Sequence, residues 1–159
     1  MQEKPRVLII DSEADFVRSV REALETRFEI VSAASARGGL DRAIRAYPDA
    51  IVLGYLEPRG TSFEVHRELR NNPVTREIPL LIVDVHPRDH ARKGWKRREG
   101  LQMNAEDYTS RPVSPEELAS SLEKIIRRAS GEPMGLREAS EQMEKALERI
   151  NRIEELLVS

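Results

Sequence analysis

Cysteine is absent from the chain, and this absence excludes disulfide bonds, thiolate metal sites and thiol catalysis. Aromatic residues make up only 4% of the sequence, and the single tryptophan is Trp95. No apolar run approaches the roughly 20 residues that a membrane-spanning helix needs, so we expect no membrane segment. The formal net charge is only −2, so overall charge favours neither nucleic acid nor an anionic membrane as a partner.

The composition that remains is that of a highly charged protein with room for one domain and a short extension. The 159 residues are 34% charged and 39% hydrophobic. The polar start, residues 1–6, leads directly into an apolar run and does not have the form of a signal peptide. We therefore expect a cytoplasmic protein.

Short apolar runs alternate five times with amphipathic segments along the first 129 residues. Runs without alternation, such as residues 7–10, are typical of strands covered on both faces. Ser12 with Asp15 and Thr61 with Glu64 have the spacing of capping boxes, and Ser114 precedes a proline at a predicted helix start. The predicted strands are residues 7–10, 29–32, 50–53, 80–83 and a weaker one around 107–108.

Strands that alternate with helices in this way predict an α/β fold, a doubly wound parallel sheet of five strands. Functional sites in such sheets lie beyond the carboxyl ends of the strands. Here those ends are Asp11, Gly54, Asp84 and the region from Thr109 to Arg111.

From about residue 4 to 129 the chain resembles the receiver domains of response regulators, which are flavodoxin-like in fold. The resemblance depends on the order and spacing of five segments: 7–13, 48–58, 63–65, 78–79, and 105–108 with Arg111-Pro112. In that family, two acidic residues after the first strand bind Mg²⁺, and the third strand ends in the aspartate that accepts a phosphoryl group. The fourth strand supplies a threonine or serine, and the fifth a lysine before proline.

Only Asp11 keeps the residue type that the resemblance implies. Ser12 stands for the second acidic residue, Gly54 for the phosphoacceptor, Asp84 for the hydroxyl residue and Arg111 for the lysine. Glycine has no side chain to attack phosphorus, and Mg²⁺ usually needs more than one carboxylate. We therefore expect no catalysis, no cofactor and no bound metal at this degenerate pocket.

Two other interpretations of the pocket stay open at this point. Arg111 could form an ion pair with Asp11 or Asp84 and so stand in for metal and phosphate, because its planar fork matches a carboxylate. Alternatively, Asp11, Asp84 and Glu57 could form a new metal site. In either case the receiver would be switched by a nonstandard phosphorylation, a metal or a small molecule.

A strongly basic stretch follows the fourth predicted strand and surrounds Trp95. It could bind an acidic protein, or a nucleic-acid backbone, although no base-reading motif accompanies it and nucleic acid is the weaker hypothesis. The simpler interpretation of Trp95 is a side chain packed over the core. The predicted partner surface comprises Arg88, Arg92, Lys93, Trp95, Lys96, Arg97, Arg98 and Tyr108.

The end of the chain has the pattern of a coiled-coil helix. Residues 1–129 are the predicted receiver-like domain, 130–135 a linker and 136–158 a helix with apolar residues at alternating three- and four-residue steps. This seam predicts a homodimer, a partner helix, or a helix folded back on its own domain. Its members are Leu136, Ala139, Met143, Ala146, Ile150, Ile153 and Leu157. The sequence thus predicts a signalling adaptor that binds another protein without being phosphorylated.

Overall fold

The protein is described by a computed structural model, which covers residues 4–131 and 136–158. Side chains are described for residues 4–131 and 141–157, so those of Leu136 and Ala139, and residues 132–135 of the predicted linker, lie outside the described residues.

Five parallel strands form a single sheet in the order β2-β1-β3-β4-β5. The strands are β1 (Arg6–Ile10), β2 (Glu29–Ala33), β3 (Ala50–Leu53), β4 (Leu80–Asp84) and β5 (Asp107–Ser110). The doubly wound parallel sheet predicted from the apolar runs is therefore confirmed.

Helices connect the strands and cover both faces of the sheet. They are α1 (Ala14–Leu24), α2 (Ala36–Arg45), α3 (Thr61–Asn71), α4 (His90–Lys93), α5 (Arg97–Leu101), α6 (Pro115–Ala129) and α7 (Leu136–Val158). Within the described ranges, none of these helices combines the length and apolarity needed to cross a bilayer.

The sheet has a hydrophobic core on each face, because successive side chains of a strand point to opposite sides. In β1, Val7 and Ile9 face α1 and α6, whereas Leu8 and Ile10 face the opposite core. This alternation explains why the strands read as continuous apolar runs.

Local details at two helix starts differ from the predictions. The N-cap of α1 is Glu13, and that of α3 is Gly60 with a φ of 98°; neither helix has a side-chain capping bond. The predicted cap at Ser114 is confirmed, since its hydroxyl accepts from the backbone N–H of Glu117 at 3.1 Å.

The long helix α7 packs against its own domain. Ile153 is only 2% exposed and belongs to the core beside α2 and α3. Arg97 of α5 pairs with Glu154 at 3.3 Å, which adds a polar contact between the two helices. Of the three arrangements that the seam predicted, the described residues adopt the one in which the helix folds back.

Candidate functional site

The carboxyl ends of β1, β3 and β5 bring three of the predicted pocket residues together. Arg111, which follows β5, donates from Nη2 to Oδ2 of Asp11 and from Nη1 to Oε1 of Glu13. The predicted ion pair of Arg111 is thus confirmed, with Asp11 as its partner. Glu13 as a second partner was not predicted, although it stands two residues after Asp11.

Besides Asp11 and Glu13, the aromatic ring of Phe16 also contacts the guanidinium of Arg111. Its carbon lies 3.9 Å from the centre of the Phe16 ring, a distance suited to a cation–π interaction. The Arg111 side chain is 12% exposed and that of Asp11 is fully buried. The contact between Phe16 and Arg111 was not predicted, because it forms only when the sheet brings the ends of β1 and β5 to the same edge.

Asp11 has further hydrogen-bond donors besides Arg111. The backbone N–H of Glu13 donates to Oδ1 at 2.6 Å, and that of Tyr55 donates to Oδ2 at 2.9 Å. Burial raises the pKa of the Asp11 carboxyl, while Arg111 and the two backbone donors act in the opposite direction. Both carboxylate oxygens are therefore occupied by protein donors.

Gly54 lies where Asp11 and Arg111 meet. A Cβ added at this position would overlap Oδ2 of Asp11 and would lie 2.6 Å from Nη2 of Arg111. The backbone of Gly54 is also fixed, since its N–H donates to Ile10 at 2.8 Å and its carbonyl accepts from the Ser62 hydroxyl at 2.7 Å. The ion pair therefore fills the volume that a side chain at position 54 would occupy.

Ser12 connects the loops around the site. Its backbone N–H donates to the carbonyl of Tyr55 at 2.7 Å, and its hydroxyl accepts from the N–H of Glu57 at 3.3 Å. The same hydroxyl donates to the carbonyl of Ala34 at 3.3 Å. These bonds join the ends of β1, β2 and β3.

The side chain of Asp84 makes its hydrogen bonds with residues other than Arg111. Its Oδ2 accepts from the Tyr108 hydroxyl at 2.7 Å and from the N–H of Trp95 at 3.2 Å. The backbone carbonyl of Asp84 accepts from the N–H of Arg111 at 3.1 Å. The described residues contain no group of three or more acidic or histidine side chains that could hold a metal, so the predicted metal site of Asp11, Asp84 and Glu57 is not formed.

Asp84 belongs instead to a buried polar cluster beneath α4. The Nε2 atom of His90 lies 3.6 Å from Oδ2 of Asp84, and neither ring nitrogen of His90 has a hydrogen-bond partner. Burial lowers the pKa of His90, although the charge of Asp84 opposes this shift. Burial, and then the charge and hydrogen bond of Asp84, raise the pKa of Tyr108. No spacing in the sequence indicated this cluster.

The predicted partner surface contains two residues that are buried. Trp95 is 4% exposed and Tyr108 is 8% exposed, because both belong to the hydrophobic core on one face of the sheet. Including them in a binding surface was wrong, and the simpler interpretation of Trp95 as a core residue is confirmed. Arg88, Arg92, Arg97 and Arg98 are exposed, whereas Lys93 and Lys96 are half-buried.

Comparison with known proteins identifies the family. The chain is 28% identical over 137 residues to the phosphate regulon transcriptional regulatory protein PhoB of Escherichia coli, a match that covers 86% of this chain and 57% of PhoB. It is 30% identical over 135 residues to the probable transcriptional regulator ycf27 of Porphyridium aerugineum, covering 79% of this chain and 50% of that protein. The chain belongs to the response-regulator receiver family of two-component signalling. It spans about half the length of these curated relatives.

Solved structures agree on the receiver fold. A CheY-like receiver domain protein from Methanospirillum hungatei superposes with a TM-score of 0.68 at 18% identity, covering 82% of this chain and 100% of that one. A receiver domain protein from Clostridium thermocellum gives 0.65 at 21% identity, covering 79% and 97%. No protein-family model matches the chain.

The receiver family implies a Mg²⁺ ion beside the phosphoacceptor, and the residues of this site do not suit one. Mg²⁺ demands several oxygen ligands in octahedral geometry. Both oxygens of Asp11 already accept hydrogen bonds, and the hydroxyl of Ser12 is bound to Ala34 and Glu57. The guanidinium of Arg111 places a positive charge directly on Asp11.

Proposed function

We propose that the protein is a cytoplasmic signalling adaptor of the receiver family that acts through protein–protein interaction and without aspartyl phosphorylation. The observation that carries this proposal is the ion pair between Arg111 and Asp11, which fills the space next to Gly54. In this proposal the guanidinium is a permanent internal cation, and the site is held in one state by its own side chains.

The chemistry of phosphoryl transfer supports the proposal. Transfer needs an oxygen nucleophile and a cation that neutralises charge on the phosphoryl group. Gly54 has no nucleophile. The carboxylates nearest to it are unsuited, since Asp11 is buried under Arg111 and Asp84 is enclosed by Tyr108 and Trp95.

The exposed arginines favour an acidic protein surface as the partner. Arg88, Arg92 and Arg98 lie on the segment between β4 and β5, and guanidinium groups bind carboxylates bidentately. A nucleic-acid backbone is the second candidate, favoured by the same basic segment. If nucleic acid is the partner, the protein should be retained on an immobilised polyanion, and this retention should weaken steeply as the salt concentration is raised.

The proposal is tested by treatment with acetyl phosphate and Mg²⁺ followed by intact-mass measurement. The expected result is no phosphoryl addition, with the receiver domain of Escherichia coli PhoB as the matched positive control. Fluorescence of Trp95 should also stay constant, because its backbone N–H contacts Asp84 at the end of β4. A phosphoryl group mapped to Asp11, Glu13 or Asp84 would contradict the proposal and support an atypical phosphorylated receiver.

A further inference from the structure

The C-terminal helix α7 packs against α4, α5 and β5 of its own domain. Ile153 is its one fully buried large side chain among residues 141–157. This side chain packs directly over Gly100, where an added Cβ would lie 2.8 Å from Cδ1 of Ile153. Arg149 donates to the carbonyl of Ala105 at a long 3.4 Å, and Glu154 pairs with Arg97.

The apolar stripe of α7 is wider than the face that touches the domain. At about 100° per residue, Met143 and Leu147 lie roughly 80° and 120° around the helix from Ile153. They are 70% and 62% exposed. The docked helix therefore leaves one side of its apolar stripe in water.

The same stripe has the spacing of a two-stranded coiled coil. Met143, Ala146, Ile150, Ile153 and Leu157 alternate steps of three and four residues, as a and d positions do. In that register Arg149 occupies a g position and Glu154 the e position five residues later. In a parallel dimer these two positions face each other across the helices, so Arg149 of one copy would meet Glu154 of the other with complementary charge.

We infer that α7 has two mutually exclusive partners, its own domain and the α7 helix of a second copy of this chain. Ile153, Arg149 and Glu154 contact the domain now and are the residues that a parallel coiled coil would use. The helix must therefore leave the domain before two chains associate. This inference rests on the proposed function, because it regulates when the adaptor assembles.

Competition of this kind makes the dimer dissociation constant depend on docking. The apparent dissociation constant is the dissociation constant of two free helices divided by the fraction of helices that are undocked. This fraction enters once for each of the two chains, so it appears squared. A change that weakens docking and leaves the seam intact therefore promotes dimer formation.

Gly100→Leu is such a change, because its side chain would take the volume of Ile153 and lies outside the seam. Analytical ultracentrifugation of the full chain should show a dimer dissociation constant at least tenfold lower than that of the unmodified protein. Arg97→Glu is the second variant, should Gly100→Leu fail to fold. It removes an exposed ion pair with Glu154, so its effect is a few-fold, and Arg98→Glu is its matched control with no change.

Met143→Asp tests the seam from the other side. It places a charge on the exposed part of the stripe, so it should abolish the dimer formed by Gly100→Leu and leave the docked monomer unchanged. Asn151→Asp, on the exposed opposite side of α7, is the control and should have no effect.

Two results would overturn the inference. In the first, Met143→Asp raises the dimer dissociation constant but Gly100→Leu and Arg97→Glu do not change it. This result would mean that the helix dimerises while it is docked on its own domain. The other is a monomer for every variant. Intact masses of the same samples after acetyl phosphate treatment distinguish this inference from the proposed function. If the protein stays unphosphorylated and the docking variants leave its association unchanged, the inference fails and the proposed function stands.

Discussion

Replacing Arg111 with alanine removes the cation that is paired with buried Asp11. Breaking one partner of a buried ion pair typically costs about 3–5 kcal/mol, because the remaining charge is left without compensation. Asp11 keeps the backbone donors of Glu13 and Tyr55 after the change. The expected loss in the free energy of unfolding is therefore nearer the lower limit, about 3 kcal/mol, of which the lost cation–π contact with Phe16 supplies about 0.5–1 kcal/mol.

The measurement is urea denaturation at neutral pH for a double-mutant cycle of Arg111→Ala and Asp11→Asn. In the Asn background no charge is left unpaired, so Arg111→Ala should cost less there, with a coupling energy of about 1–3 kcal/mol. Arg18→Ala is the matched control, since Arg18 is 67% exposed and its ion pair is with exposed Asp15. It should change stability by no more than about 0.5 kcal/mol.

The same cycle has a definite pH dependence. The pKa of Asp11 is raised in the folded protein, so the folded state holds its proton to higher pH than the unfolded chain does. The resulting stabilisation is complete below the unfolded value of 3.8 and is lost as pH rises through the folded pKa. The penalty of Arg111→Ala should therefore shrink as pH falls. Equal penalties in both backgrounds and at every pH would refute the account of Arg111 as the internal cation.

Two further perturbations test neighbouring features. Gly54→Ala should destabilise the protein by about 1–3 kcal/mol through overpacking, since the added Cβ would overlap Oδ2 of Asp11. An unchanged urea midpoint would contradict this and show that the site can relax. Burial lowers the pKa values of His66 and His90, so their contribution to stability is complete above about pH 6.5 and falls as pH drops through their folded pKa values. Urea midpoints should decline from about pH 7.5 to 5, and His66→Gln should flatten that decline; a flat profile for the unmodified protein would contradict this.

Much of the fold was accessible from the sequence because the relevant signals are local. Continuous apolar runs such as Val7 to Ile10 indicate strands that are buried on both faces, and Ser114 before Pro115 indicates a helix start. The caps predicted at Ser12 and Thr61 were wrong, because the loop bonds of Ser12 and the left-handed Gly60 determine where those helices begin.

The candidate site was only partly predictable, since its geometry depends on how strands that are distant in the chain meet. Arg111 and Asp11 could be paired in advance, because parallel strand ends gather at one edge of a sheet. The sequence did not indicate that Asp84 turns toward Tyr108 or that Phe16 lies against Arg111. These contacts depend on side-chain directions, which the order of residues leaves open.

The sequence by itself determined the sheet, the absence of a side chain at position 54 and the heptad spacing of the last helix, because each follows from residue type and short-range periodicity. The tertiary structure alone decided which carboxylate the Arg111 guanidinium binds and which surface the seam of α7 covers. Apolar burial has no direction, so the same stripe can cover a domain or another helix. The burial of Ile153 and its contact with Gly100 show that the stripe packs on its own domain.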